Sequence, residues 1–248
     1  MEKLIILFTL IFSFQVHAIS IITDLDDTVK ITNVQNKPAA LWNALFNRDA
    51  FKGMPNLLSK YSKAGGDIFI VSASPNLFEK AIQDFINKNE IEVRQLYLRK
   101  LSELGRKEQY KLESIREILT NHPGEYILLG DDVEIDAKVY AQIKQEFPEQ
   151  IKAVYIHQVV GGKDLPGTKF HSAYDIALEE LLADRFTQLD YTAVWFNFTK
   201  ELEYEQVFPK FKTCPQDITA FRSDLPRLLQ ISANQVYRRI VSHCNSRE

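Results

Sequence analysis

The chain carries almost no excess charge. Thirty basic residues against 33 acidic ones leave a formal net charge of −3 over 248 residues. That balance excludes a global attraction to nucleic acid or to anionic lipid. No nucleic-acid partner is expected, and a phosphate-bearing substrate must be captured locally. Cysteine is scarce: Cys214 and Cys244 are the only two, and without CxxC spacing they argue against a redox or zinc motif. An apolar run of about 20 residues, the length that spans a bilayer, is missing, since the N-terminal run extends only from Leu4 to Phe14. Internal repeats and low-complexity segments are also absent. With 45% hydrophobic residues, a chain of this length can bury one sizeable core, which favours one domain with elaborations.

The short apolar run has a meaning of its own. Glu2 and Lys3 precede it, and Val16-His17-Ala18 follows it with small residues suited to a signal peptidase. Residues 1–18 therefore read as a cleaved signal peptide. The mature protein is then exported, periplasmic or secreted, and begins directly with a strand, leaving no room for an N-terminal domain. In an oxidising compartment Cys214 and Cys244 read as one disulfide, the alternative being two unpaired thiols. Asn197-Phe198-Thr199 fits a glycosylation acceptor, and no function is assigned to it.

Beyond residue 18 the sequence alternates. Ile19 to Thr23 is a β-branched run, and extended stretches follow at Ile68 to Val71, Gln95 to Arg99, Tyr126 to Leu129 and Ala153 to His157. Between them lie helical stretches at Asn56 to Lys63, Leu77 to Asn87, Lys111 to Leu119 and Ala137 to Phe147. This order predicts an α/β fold, a Rossmann-like parallel sheet with helices on both faces. The catalytic domain is expected over residues 19–173. Residues 174–248 are expected to form a helical C-terminal extension packed on the same domain, with helices at Tyr174 to Phe186 and Leu225 to Ser242.

In a parallel sheet, chemistry gathers at the carboxyl ends of the strands. The first strand ends in Asp24-Leu25-Asp26-Asp27-Thr28. Two carboxylates at that spacing can divide labour, one attacking phosphorus and the other moving the proton; the plain alternative is an acidic turn. Gly130-Asp131-Asp132, with Asp136 further on, follows another strand. Its hard oxygens suit Mg²⁺, although acidic residues also open helices. Ser72-Ala73-Ser74-Pro75 ends a third strand: Ser72 is the candidate for holding a phosphate, and Ser74 before proline reads as a helix cap. Lys111, placed at the start of a helix, is the candidate cation for the transferring group, with a solvated surface lysine as the alternative.

The order Asp-x-Asp-x-Thr, Ser, Lys, Gly-Asp and a later Asp resembles the haloacid dehalogenase superfamily of phosphotransferases. Asp24 to Lys30 with Asn33-Val34, Gly53-Met54-Pro55, Val71 to Pro75 and Lys111 to Tyr140 resembles more closely the phosphatidate phosphatase catalytic domain of the actin-patch-protein and lipin type. The similarity covers roughly residues 19–160. It implies Asp24 as nucleophile and Asp26 as general acid/base. It also implies Mg²⁺ held by Asp24, the Asp26 main-chain carbonyl and Asp131, with Ser72 and Lys111 on the phosphoryl group. Thr28, Asp132 and Asp136 fall around these ligands. Asp132 departs from the family's usual Gly-Asp-Ser-Gly and is expected to alter the metal's surroundings.

The resemblance implies phosphatidate, or a related lipid phosphate, as substrate, reached through transient contact with a membrane surface. Pro38 to Phe46 is a candidate small apolar cap for acyl chains, or ordinary core. Gly161 to Gly167 should lie near the site. A phosphatase of small soluble phosphomonoesters and a non-catalytic phosphatidate-binding module are the alternatives, the latter opposed by the presence of both Asp24 and Asp26.

Overall fold

The computed structural model describes residues 18–32, 47–103, 105–133, 135–161, 165–201, 203–215 and 225–245. Most of the expected signal peptide, the expected cap at 38–46, Asn33-Val34 and residues 162–164 lie outside the described residues.

Six strands form one parallel sheet: β1 (Ile19–Thr23), β2 (Ile68–Pro75), β3 (Gln95–Arg99), β4 (Glu125–Asp131), β5 (Ile151–His157) and β6 (Thr168–Phe170), in the order β3-β2-β1-β4-β5-β6. β1 lies centrally between β2 and β4. Its apolar side chains are buried on both faces, as in a sheet covered from both sides. Ile21, Ile70, Ile127 and Leu129 pack into one core cluster; Ile22, Phe69, Val71 and Leu128 pack into another. The split follows the period of two along each strand.

The helices are α1 (Met54–Lys63), α2 (Glu79–Lys88), α3 (Lys107–Asn121), α4 (Asp136–Glu146), α5 (Ala173–Leu182), α6 (Gln188–Lys200) and α7 (Arg227–Asn245). α3 and α4 cover one face through Ile115, Ile118, Val139 and Tyr140. On the other face α1 and α2 share a cluster with Tyr174, Ile176, Val194, Phe198, Val236 and Ile240 of α5, α6 and α7. The C-terminal helices thus supply part of the core that the central strands need. Cys214 and Cys244 are bonded, with Cα atoms 6.0 Å apart, which ties α7 to the segment before it. No described helix is long and apolar enough to cross a membrane.

The structure departs from the sequence expectations at several edges. β2 runs on to Pro75, and a single 3-10 turn (Asn76–Phe78) precedes α2, so the expected helix at Leu77 starts two residues later. α3 starts at Lys107, which puts Lys111 on its second turn rather than at its opening. β6 and α6 had no counterpart in the expectations. β6 is three residues long with two of them exposed. The stop and start of α6 come from a capping box at Thr187 and Asp190.

A two-rung clasp follows β1. The Ile31 N–H donates to the Asp49 carbonyl at 3.0 Å and the Phe51 N–H to the Val29 carbonyl at 2.9 Å, with Lys30 and Ala50 bridged in antiparallel sense.

Candidate active site

Where β1 ends, the chain stays attached to β4, because the Asp24 N–H donates to the Leu129 carbonyl at 2.8 Å. It then folds into a tight loop closed by Val29 N–H and Lys30 N–H on the Leu25 carbonyl, at 3.1 and 2.9 Å. Asp27 takes a φ of 56°, a left-handed conformation that aspartate tolerates better than most residues. His157 of β5 pins this loop from below, its Nδ1 2.6 Å from the Asp27 carbonyl and its ring stacked on Phe170 at 4.5 Å. A carbonyl only accepts, so Nδ1 carries the hydrogen. Burial first of all lowers the His157 pKa to about 4, against the two carbonyl contacts that favour its charge.

The loop sends its carboxylates in different directions. Asp24 is 5% exposed and receives the Lys111 ammonium at 2.6 Å; Lys111 also bonds Asp136. Asp131, at the end of β4, accepts from the Val133 N–H at 2.6 Å and from the Thr28 hydroxyl at 3.5 Å. Oxygens of Asp24, Asp131 and Asp136 all lie within 4.8 Å of one another, each buried. Gly130 makes this convergence possible. A Cβ there would stand 2.6 Å from the Tyr140 ring and 2.7 Å from Asp136, closer than packed atoms tolerate.

Electrostatics follow from the geometry. Burial pushes the Asp24 carboxyl up to about 8; Lys111 opposes the shift, and Asp136 and Asp26 add to it. Asp131 is raised well above the carboxylate range by burial and by its neighbours Asp136 and Asp24. Burial works against the Lys111 charge, yet Asp136 and Asp24 outweigh it and hold the ammonium well above its usual range. Three carboxylates therefore share one ammonium where water is excluded, an excess of negative charge that a divalent cation complements. The donor set is all hard oxygen, which fits such a cation.

The Asp26 carboxylate stands apart from this triad. One oxygen accepts from the Thr32 hydroxyl at 2.7 Å and the other from the Ser74 hydroxyl at 2.7 Å. Ser72 is buried on β2, two residues beyond the Thr23–Ile70 pairing with β1, and its Oγ accepts from the Ser74 N–H at 3.1 Å.

Several expectations change here. Asp132 does not surround the metal candidates: its oxygens accept from the backbone N–H groups of Val159, Val160 and Gly161 at 2.8, 2.7 and 2.8 Å. A carboxylate committed to three amides anchors the segment after β5. Asp136, expected at the periphery, belongs to the converging triad. Ser74 caps nothing, since the turn after it has no side-chain cap; it holds Asp26 instead. Thr32 carries no motif signal in the sequence, and only the return of the chain toward the Asp26 carboxylate reveals it.

Residues 19–158 match the family described as phosphatidate phosphatase APP1, catalytic domain. Phosphatidate phosphatase APP1 of Saccharomyces cerevisiae is 28% identical over 152 residues, 56% of this chain and 26% of that protein. An uncharacterized protein of Schizosaccharomyces pombe is 28% identical over 158 residues, 58% of this chain and 26% of that one. The chain therefore spans about a quarter of the length of the curated relatives it matches. Among solved structures, the class C acid phosphatase from Bacillus anthracis with tungstate bound superposes with a TM-score of 0.37 at 16% identity, over 77% of this chain and 76% of that one.

Proposed function

Because the chain belongs to the phosphatidate phosphatase APP1 catalytic domain family, we propose that it is a Mg²⁺-dependent phosphatase acting on phosphatidate or a related lipid phosphate. The observation that carries this reading is the meeting of Asp24, Asp131 and Asp136 within 4.8 Å, with Lys111 on Asp24, at the ends of β1 and β4. A nucleophile, a cation and a hard-oxygen donor set are the parts that phosphoryl transfer requires.

In this mechanism an oxygen of Asp24 bonds to phosphorus while the bond from phosphorus to the ester oxygen breaks. Asp26 gives its proton to that leaving oxygen, which departs as diacylglycerol. Water then bonds to phosphorus as the Asp24 bond breaks, passing a proton back to Asp26 and releasing phosphate. Lys111 holds Asp24 in place and balances charge on the transferred group, and Ser72 contributes its hydroxyl to that group. Asp24 and Asp131 would hold Mg²⁺ together with the Asp26 main-chain carbonyl; when bound, the ion supplies charge neutralisation for the phosphoryl oxygens. Asp136 keeps Lys111 oriented, and Thr28 steadies Asp131.

The reading includes export. Its supports are the signal-like residues 1–18 and the Cys214–Cys244 bond, a linkage favoured by oxidising compartments. Substrate is then met by transient contact with a lipid surface.

The test is phosphate release from phosphatidate vesicles and from p-nitrophenyl phosphate, with Mg²⁺ or with chelator, for wild type and Asp24→Asn. Mg²⁺-dependent release from the vesicles that vanishes in the variant is expected. Release from the soluble ester alone would replace the lipid with small phosphomonoesters. Release from neither would leave a phosphatidate-binding module and end the catalytic reading.

A further inference from the structure

We propose that Ser74 and Thr32 form a two-hydroxyl clamp that positions the Asp26 carboxyl for proton transfer to the leaving oxygen. The inference rests on the reading of Asp26 as general acid/base.

Each oxygen of Asp26 is met by one hydroxyl at 2.7 Å, so rotation about the Cβ–Cγ bond would break both hydrogen bonds. The hydroxyls come from opposite sides of the chain order and are themselves fixed. Thr32 is 1% exposed, and its N–H donates to the Asp27 carboxylate at 3.0 Å, which locks it to the loop that bears Asp26. Ser74 sits in an irregularity of β2: Ser72 pairs with Leu98 and Pro75 with Arg99, so three steps on β2 match one on β3. Bulges of this kind re-aim side chains beside active sites. Here the Ser74 N–H turns to the Ser72 Oγ at 3.1 Å while its own hydroxyl reaches Asp26. One irregular strand end thus serves two tasks, with Ser72 facing the phosphoryl group and Ser74 holding the proton donor.

The chemistry explains why both oxygens are held. When the bond to the ester oxygen breaks, the Asp26 proton leaves and the carboxyl becomes a carboxylate. Two hydroxyl donors stabilise that developing charge without reorganising, and the same bonds hold the carboxylate when it later receives the proton of the attacking water. Ser74 and Thr32 are therefore positioning residues that act through Asp26.

A general acid matters most when the leaving oxygen is a poor one, and this separates the clamp from a structural role. The test compares kcat/KM for phenyl phosphate and for p-nitrophenyl phosphate, whose leaving group departs readily without a proton. Ser74→Ala and Thr32→Val are each expected to lower kcat/KM for phenyl phosphate about tenfold or more, and to leave the nitrophenyl ester within about threefold of wild type. Ser74→Thr and Thr32→Ser, which keep the hydroxyl, should recover most of the loss. Equal losses on both esters, no loss on either, or no recovery in the hydroxyl-bearing variants would overturn the clamp. Asp24→Asn, run in parallel, separates the two readings. Full turnover in that variant would refute the nucleophile, and with it the reading the clamp depends on; an inactive Asp24→Asn beside uniform losses in the clamp variants would refute the clamp alone.

Discussion

Replacing Asp132 by alanine removes the acceptor of three backbone amides, Val159, Val160 and Gly161, at 2.7 to 2.8 Å. Asp132 is 1% exposed, and Val159 and Gly161 are buried as well. A buried donor left without a partner costs about 1–3 kcal/mol. Two such donors, with water reaching the less buried Val160, give a loss of about 3–5 kcal/mol. For a chain of this size that lowers the melting temperature by roughly 6–15 °C. The segment at stake is paired onward, since Lys212 and Thr213 donate to the Val159 and Val160 carbonyls, each at 3.0 Å, and Cys214 follows in the disulfide. Asp132→Asn keeps one acceptor and should lose about half as much. Urea unfolding of wild type and both variants, together with Mg²⁺ titration of thermal stability, measures this. The reasoning is refuted if Asp132→Ala unfolds with wild-type stability, or if it weakens metal binding while stability stays unchanged.

Three further outcomes follow from the same geometry. His157 has a folded-state pKa of about 4 against an ordinary 6.5, so the unfolded chain takes up its proton first as pH falls. Its contribution is complete above about pH 6.5 and lost toward pH 4, up to ~3 kcal/mol. Urea midpoints at pH 7 and pH 5 should differ more for wild type than for His157→Gln, and parallel pH dependence would contradict this. Gly130→Ala forces a Cβ against Tyr140 and Asp136. It should cost about 1–3 kcal/mol in stability and far more in turnover, as kinetics on the folded variant would show; wild-type kcat would be the contrary result. Reducing the Cys214–Cys244 bond, which closes a separation of 30 residues, should lower stability by about 3 kcal/mol. Unchanged calorimetric unfolding in reductant would count against that figure.

The sheet was legible because its strands are continuous β-branched and aliphatic runs; Gln95–Arg99 coincides with the expectation residue for residue. The acidic strand ends were legible for a related reason, since polar residues directly after buried strands have little other use. β6 was not, because three residues with two exposed leave no periodicity to read. Asp132 shows the limit most clearly. Its place beside Asp131 assigns it to the metal's surroundings, yet alternation along the chain turns it toward amides 27 to 29 positions away. Thr32 and Ser74 were hidden for the same reason: their partner Asp26 is set by how a loop returns and where a strand slips. Neither event leaves a compositional trace.

The clasp between residues 29–31 and 49–51 bears on how such proteins diversify. Its two hydrogen bonds and one bridge join the stretch's points of departure and return, so the closure cost of what lies between grows only slowly with length. The stretch can be treated as a cassette in a socket. Exchange for a longer, shorter or differently composed insert leaves β1 and α1 in register, while altering what stands beside Asp26. Inheritance of the reaction and divergence of what is accepted are thereby assigned to separate parts of one chain.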